Sequence, residues 1–444
     1  MKRYFIILIF FTWTIGVWGQ QKKTWTLNGC ILYAIQYSPD VNNQKYANDI
    51  YHQNYIEAVG RLLPNISANT SAGFNFGRGV DEETNTYINV NSFSNNYGIN
   101  VSMTLFDGLA NYTRVRIGRV NKLKGKNELE DAKDMVAYST MEAFYNVLYN
   151  KDLVASATEQ LEESVRSFQQ IKRMEELGVK SVPDIVECEA KVAEDTYNLT
   201  KQKNLLTISI IQLKEKMNFP LDEELDIQHT DNEQAITKIQ EMPFEIYEKS
   251  KAFNPKAQIA ESDIEYRKLA YKASKGSLAP SISAGVGAST NFFKNMDGSP
   301  FSSFSDQFKN KQGEYISLTL SIPVFSGLSR STSINSAKAQ IFIAENNKND
   351  VFRKLFSDIE QAVADANGQV DEHYQAIRQR KSAEIAHQVN LRKYEEGLID
   401  PILLHTSSNR LLKAKAEEYR AKYMYCLKYK LVNYYKGEPF FLEE

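Results

Sequence analysis

Cysteine is scarce: only Cys30, Cys188 and Cys426 occur in 444 residues. They lie far apart, so they offer neither a disulfide framework nor a zinc knot, and they read as small helix residues. A basic surplus is also missing. Net charge is −2 with 24% charged residues, which removes the footprint of a nucleic-acid binder. Long apolar runs are absent beyond the N-terminus, and a hydrophobic content of 42% with mean hydropathy −0.45 excludes a bundle of transmembrane helices. The five histidines (His52, His229, His373, His387, His405) share no ligand spacing with one another or with cysteine. His387 and His405, flanking a helical turn described below, are expected to be solvated. Gly285-Val286-Gly287 lacks a third glycine and opens no helix, and neither a Gly-x-Ser-x-Gly nor a Walker-type motif occurs. No enzyme, cofactor or metal is expected.

What is present begins at the N-terminus. Lys2 and Arg3 precede an apolar run from Tyr4 to Trp18, followed by Gln20, Gln21, Lys22 and Lys23. With Val17 and Gly19 supplying small residues, this is expected to be a secretory signal cut near Gly19. An uncleaved anchor is the alternative, but about 15 apolar residues fall short of the roughly 20 a span requires. Leu27-Asn28-Gly29-Cys30 superficially resembles a lipoprotein box. It stands well past the apolar run and behind two lysines, so Cys30 is read as helical rather than lipidated.

The strongest signal is internal duplication. Phe106-Asp107-Gly108-Leu109 recurs as Phe325-Ser326-Gly327-Leu328, an offset of 219 that also relates Gly178 to Gly397 and Pro220 to Pro439. Upstream, Pro64-Asn65-Ile66-Ser67-Ala68 recurs as Pro280-Ser281-Ile282-Ser283-Ala284 at offset 216, shared by Pro39 and Pro255. Each unit reads as helix, strand, loop, strand, long helix, tight turn, helix. Proline is missing from Leu109 to Val182 and from Val324 to Asp400, while apolar residues recur at helical spacing, as in Leu153, Ala157, Leu161, Val165 and Phe168. A helix from Leu109 to Leu177 would be about 100 Å long at about 1.5 Å per residue. A single helix from about Pro243 to Ala279 is expected before the second hairpin. At the tips, Gly178 and Gly397 occupy the position where a helix end favours a left-handed residue. Ser181 with Asp184 forms a capping box, and Asp400-Pro401 supplies an N-cap followed by proline. An antiparallel coiled coil would also fit this periodicity.

The strands speak against it. Ile66, Ala68, Thr70, Ala72, Phe74 and Phe76 alternate with Asn65, Ser67, Asn69, Ser71, Gly73 and Asn75, and the return strand alternates likewise through Tyr97, Ile99, Val101, Met103 and Leu105. The second copy repeats the pattern in Ile282–Ala288 and Ile316–Ile322. Each strand is expected to run about ten residues, the length that crosses a tilted bilayer path. The polar faces are small and uncharged, suiting a wet lumen. Aromatics near strand ends (Phe74, Phe76, Tyr97, Phe292, Phe293, Tyr315, Phe325) suggest interfacial girdles, with polar loops at 78–95 and 293–313. Four strands cannot close a barrel, so several copies must share one.

In the order and spacing of these segments the sequence resembles the TolC-like outer-membrane efflux proteins. The resemblance is carried by Leu27-Asn28-Gly29-Cys30-Ile31-Leu32-Tyr33-Ala34 with Ser38-Pro39, by Asn254-Pro255, by Gly60-Arg61-Leu62-Leu63-Pro64 with Lys275–Pro280, by both Phe-x-Gly-Leu exits, and by Tyr394-Glu395-Glu396-Gly397-Leu398. It implies a mainly α chain with a membrane β-barrel part. Long antiparallel helical hairpins would form an α-barrel tunnel, and four strands per chain would enter a shared twelve-stranded trimeric barrel. It also implies a homotrimer in outer-membrane lipid with a periplasmic extension, working with a periplasmic adaptor and an inner-membrane pump. The expected layout is a signal peptide 1–19, then a first repeat 20–218 with β-hairpin 65–106 and helical hairpin 109–218. An equatorial linker 219–242 leads to a second repeat 243–437 with β-hairpin 281–325 and helical hairpin 328–437, and 438–444 is a tail. The family's tip closure by tyrosine, aspartate and arginine maps onto Tyr394 and Asp184, whereas the arginine position is Ile399 and the acidic-ring positions are Leu403 and Thr406. A more apolar constriction is therefore implied. Asp184 also reads as a plain capping residue and Tyr394 as a packed helix residue. The competing readings are a passive porin and a structural coiled-coil protein of the envelope.

Overall fold

The computed structural model describes residues 24–80, 84–89, 91–228, 236–296, 298 and 300–442. The expected signal peptide, residues 229–235 of the expected linker with His229, and the last two residues of the expected tail lie outside them.

The duplication is visible in element lengths. The first unit contains α1 (Leu27–Tyr37), α2 (Pro39–Gly60), β2 (Asn65–Asn75), β5 (Ser92–Phe106), α3 (Ala110–Glu176) and α4 (Val182–Met217). The second contains α5 (Pro243–Ser250), α6 (Pro255–Gly276), β7 (Ser281–Asn295), β8 (Gly313–Ser321), α8 (Ser329–Glu395) and α9 (Pro401–Lys436). Both α2 and α6 have 22 residues, both α3 and α8 have 67, and both α4 and α9 have 36. At about 1.5 Å per residue the 67-residue helices reach roughly 100 Å. Their faces are apolar enough to pack on each other, but no helix among the described residues is long and apolar enough to cross a membrane.

The helix expected over 243–279 is broken at Pro255. Proline cannot donate a backbone hydrogen bond, and it forces the residue before it out of the helical region. Asn254 accordingly sits at φ −61°, ψ 124° and caps α6 by accepting from the Lys256 amide. Ser38 before Pro39 has the same extended backbone, so the break is part of the repeated unit.

The four main strands form one sheet in the order β2-β5-β7-β8, antiparallel throughout. Side-chain rows run across it in register: Ile66, Val101, Val286 and Ile316 share one face, while Asn65, Ser102, Gly285 and Ser317 share the other. The apolar face is bare, with Ile66, Ile99, Ile316, Leu318 and Leu320 exposed. The polar face is knitted by side chains, Asn100 donating to Asn69 Oδ1 at 3.1 Å and Tyr315 donating to Asn100 Oδ1 at 2.9 Å.

Three expectations about the sheet need correction. Strands β5 and β7 have 15 residues rather than about ten, because asparagine- and phenylalanine-rich segments continue the pairing toward the loops. The loop segments hold structure of their own: β3 (Arg78–Val80) pairs β4 (Tyr87–Asn89), and α7 (Phe304–Asn310) packs on the sheet. Tyr315 and Phe293 do not join the outer aromatics. Alternation puts them on the polar face, where the Tyr315 ring lies over Gly287, whose missing side chain leaves the room.

Apolar cores cluster along the helices. One gathers Cys30, Ala34, Val41, Phe144, Leu148, Leu213, Met217 and Phe219 at the junction of α1, α2, α3 and α4. Cys30 is fully buried there, and burial pushes its thiol up to about 12. The short parallel pair β1 (Thr24–Trp25) and β6 (Asp226–Ile227) closes beside it. A second core joins Ile246 and Ala257 to Leu355, Ile359 and Val363 on α8.

Candidate functional site

Two regions are built for a function: the sheet, which fits a bilayer, and the paired tips of the helical hairpins.

On the sheet's apolar face an aromatic band stands at the loop end. Phe74 meets Phe93 at 5.0 Å between ring centroids, Phe292 meets Phe304 at 5.4 Å, and Tyr97 meets Phe308 at 5.5 Å. Phe93, Phe304 and Phe308 escape the sequence reading because they fall in the segments 78–95 and 293–313, read there as loops. Spacing of Phe304 and Phe308 at i, i+4 was the available signal. Strand β7 outruns β8, whose pairing stops at Ser289 with Gly313. Buried Gln307 on α7 stands in for the missing strand, accepting from the Phe293 amide at 3.0 Å and donating to the Phe293 carbonyl at 2.9 Å.

At the first tip, Gly178 has φ +74°, and the Val179 amide reaches back to the Met174 carbonyl at 2.8 Å. At the second, Gly397 has φ +76°, and the Leu398 amide reaches the Lys393 carbonyl at 2.8 Å. These are left-handed helix ends that glycine adopts without steric cost. The following helices start on the capping residues read from sequence. Asp184 Oδ2 accepts from the Ser181 amide (3.0 Å) and hydroxyl (2.8 Å), and Asp400 Oδ1 accepts from the Leu403 amide (2.9 Å). Those Ser181 hydrogen bonds hold the Asp184 carboxyl below the usual carboxylate range.

All four long helices contribute to an apolar knot just above the turns: Ile171, Cys188, Tyr394 and Leu404, with Phe168, Met174, Ile185, Leu391 and Ile399 packed around them. Tyr394 is 4% exposed, and its hydroxyl meets Cys188 Sγ at 3.4 Å rather than Asp184, which is engaged with Ser181. Lys180 lies over the ring at 5.2 Å. Burial raises the Tyr394 hydroxyl's pKa, so it stays protonated. Ile399 is thus part of the knot, whereas Leu403 and Thr406 remain exposed on α9.

Above the knot comes a buried polar layer that the sequence did not reveal. Lys191, 4% exposed, places its ammonium 2.9 Å from Asp195 Oδ1 and donates to Asn409 Oδ1 at 2.7 Å. His387 is not solvated. It sits between Ser407 Oγ at 3.1 Å and Glu163 Oε1 at 2.7 Å, because the side of α8 it occupies is covered by α3 and α9. His405 is half-buried beside Glu187, and burial lowers its pKa. Among the described residues no group of three or more histidine, cysteine or acidic side chains could hold a metal ion.

The whole chain has relatives among solved structures. It is similar to CusC, with 14% identity, TM-score 0.78, and 93% of this chain and 92% of that one covered. It is also similar to the outer membrane protein VceC of Vibrio cholerae, with 13% identity, TM-score 0.76, and 93% and 96% covered. A third is the MtrE outer membrane channel of Neisseria gonorrhoeae, with 15% identity, TM-score 0.75, and 92% and 88% covered. At these identities the likeness shows a shared fold. No curated protein matches the chain in sequence. Residues 246–427, most of the second repeat, match the family described as outer membrane efflux protein. That match spans less than half of the chain, and the likeness to these outer-membrane channels over more than nine tenths of the chain shows that it shares their fold.

Proposed function

We propose that the protein is the outer-membrane duct of a tripartite efflux or type I secretion system, assembled as a homotrimer that passes cargo from an inner-membrane pump and a periplasmic adaptor to the exterior. The observation that carries this reading is the pairing, in one chain, of an unclosed four-stranded sheet with two helical hairpins that each contain one 67-residue helix. An open edge in lipid leaves backbone groups unsatisfied at several kcal/mol each, so β2 and β8 require partners. A second copy supplies them in head-to-tail fashion, and a head-to-tail contact repeated around an axis closes into a ring. Three copies give twelve strands, above the minimum of about eight for a membrane barrel.

The tip would be the gate, held by Tyr394 in its knot, with Asp184 closing from the first tip and Leu403 and Thr406 lining an apolar constriction. Leu177, Val179, Val182, Leu398 and Ile402 are exposed around both turns and offer the adaptor an apolar rim. A passive porin would carry all its strands in one chain and has no use for helices of roughly 100 Å.

Conductance in planar bilayers tests the reading. The wild type is expected to open rarely, and Tyr394→Phe or Asp184→Ala to raise the open fraction several-fold. A steady large conductance in all three would favour a porin. Cross-linking in cells followed by purification should recover an inner-membrane pump, and recovery of the duct alone would remove the tripartite assignment.

A further inference from the structure

We infer that α7 lies flat in the headgroup layer of the membrane's outer leaflet, on the lipid side of the sheet, where Lys294 and Lys309 take the phosphates of an anionic lipid. This rests on the outer-membrane reading above and adds to it a lipid contact at a stated height.

The sheet itself marks where hydrocarbon ends. Its four main strands carry only two charged residues, Lys294 and Glu314, and both stand toward the loops. Glu314 pairs with Ala288, which pairs with Ile99, and alternation puts all three on the apolar face. A carboxylate in hydrocarbon is expensive, so this row belongs at the edge of the apolar band. From there toward the helices no strand residue on the face is charged, and Ile316, Leu318, Leu320, Ile322 and Val324 are all exposed. At about 3.3 Å per residue and a tilt of about 40°, the run 316–324 rises roughly 23 Å, close to the band of about 25 Å that a membrane barrel presents to lipid.

Immediately above this boundary, on the same face, sits α7. Phe304 and Phe308 pack on Tyr97 at 6.2 and 5.5 Å between ring centroids, and Phe304 packs on Phe292 at 5.4 Å. Tyr97 is two residues from Ile99 on β5, so these rings stand on the lipid side rather than in the lumen. The helix is also pinned by hydrogen bonds. Thr290 Oγ1 donates to the Phe308 carbonyl at 2.9 Å, and Gln307, besides holding the Phe293 backbone, donates to the Ser302 carbonyl at 3.0 Å. Ser303 Oγ accepts from the Asp306 amide at 3.2 Å and starts the helix. Anchored at both ends, α7 is part of the outer wall and not of a loop above it.

Its free side gives the height a second time. Phe304 and Phe308 share one face, and at about 100° per residue Ser305, Asp306 and Lys309 point away from it. All three are exposed. Hydrocarbon would strip water from these polar side chains, and bulk water would leave the ring-bearing face and the bare sheet below it without an apolar neighbour. The headgroup layer suits both sides of the helix.

Charge selects the partner. Lys309 is exposed, and Lys294 projects from the same face as its strand neighbour Phe93, with its ammonium 4.4 Å from the Phe301 ring centroid. Neither lysine is ion-paired among the described residues. The carboxylate on the helix, Asp306, accepts instead from the Ser303 hydroxyl at 2.6 Å. Two free ammonium groups at headgroup level fit lipid phosphates, which lysine binds as a point charge.

Spin labelling of the full-length protein in vesicles tests the height. A nitroxide at Ser305→Cys should be reached by a neutral water-soluble nickel chelate to an intermediate degree. It should fall between a Leu318→Cys label, shielded from the chelate, and an Arg166→Cys label on α3, open to it. The unsubstituted protein, whose three cysteines are buried or half-buried, supplies the background. A Ser305 label as open as that at Arg166, with Leu318 still shielded, overturns the inference and leaves the membrane reading standing. A Leu318 label that is open as well overturns both. The partner is read in vesicles of phosphatidylcholine with and without phosphatidylglycerol. The anionic lipid should lower chelate access at Ser305 about two-fold, and Lys294→Gln with Lys309→Gln should abolish that change. An equal change with and without the lysines removes the phosphate contact.

Discussion

Charged groups that read as solvated in a sequence become structural when a second hairpin covers them. Lys191 and Asp195 lie four residues apart on α4, a spacing found on countless exposed helix faces. Here their side chains are 3% and 1% exposed, because α9 lies across them. Removing one partner leaves the other charge buried and alone, at a cost of about 3–5 kcal/mol. Lys191→Met is therefore expected to lower the melting temperature sharply, and Lys191→Met with Asp195→Leu to recover most of the loss, as read by calorimetry. Asp134 gives a pH signature. Burial raises its carboxyl to about 6 although Tyr434 donates to it at 2.6 Å. An acid whose folded pKa is raised stabilises the fold below its unfolded pKa near 4 and loses that contribution as pH climbs through about 6. The melting-temperature gap of Asp134→Asn over wild type should thus widen from pH 4 to pH 7. A gap that stays constant across that range contradicts the assignment. Tyr394 was legible as a tip residue from its distance to Gly397. Its partner Cys188 was not, because that contact depends on how two hairpins rotate against each other.

Elements were legible where local chemistry dictates them. Gly178, Gly397, the Ser181–Asp184 box and Asp400-Pro401 act within a few residues, and each forms the turn or cap that its residue types imply. Gly397→Ala should cost about 1 kcal/mol by forcing a side chain into the left-handed region. The readout is thermal unfolding, and an unchanged melting temperature would show that the turn relaxes freely. Asn254-Pro255 was visible too, yet the helix was carried through it by the length of its periodic pattern. Strand ends were less legible. Asparagines such as Asn95 and Asn96 look like loop residues, but sheet pairing with β7 overrides that local preference. Phe304 and Phe308 were lost to the same assumption, since one short helix between two strands leaves little periodicity to detect.

For the molecule as a whole, the duplication was the most legible feature and the most consequential one. It set equal helix lengths, equal hairpin registers and two unlike open sides. In the proposed assembly the chain is a segment of wall with unpaired backbone at its edges and Ile316, Leu318 and Leu320 exposed, and copies of itself complete it. The number of copies follows from curvature, which no single segment displays in its sequence. Light scattering of the detergent-solubilised protein, corrected for bound detergent, tests this account most directly. The account predicts a particle holding three chains, and a folded, β-containing particle of one chain would contradict it.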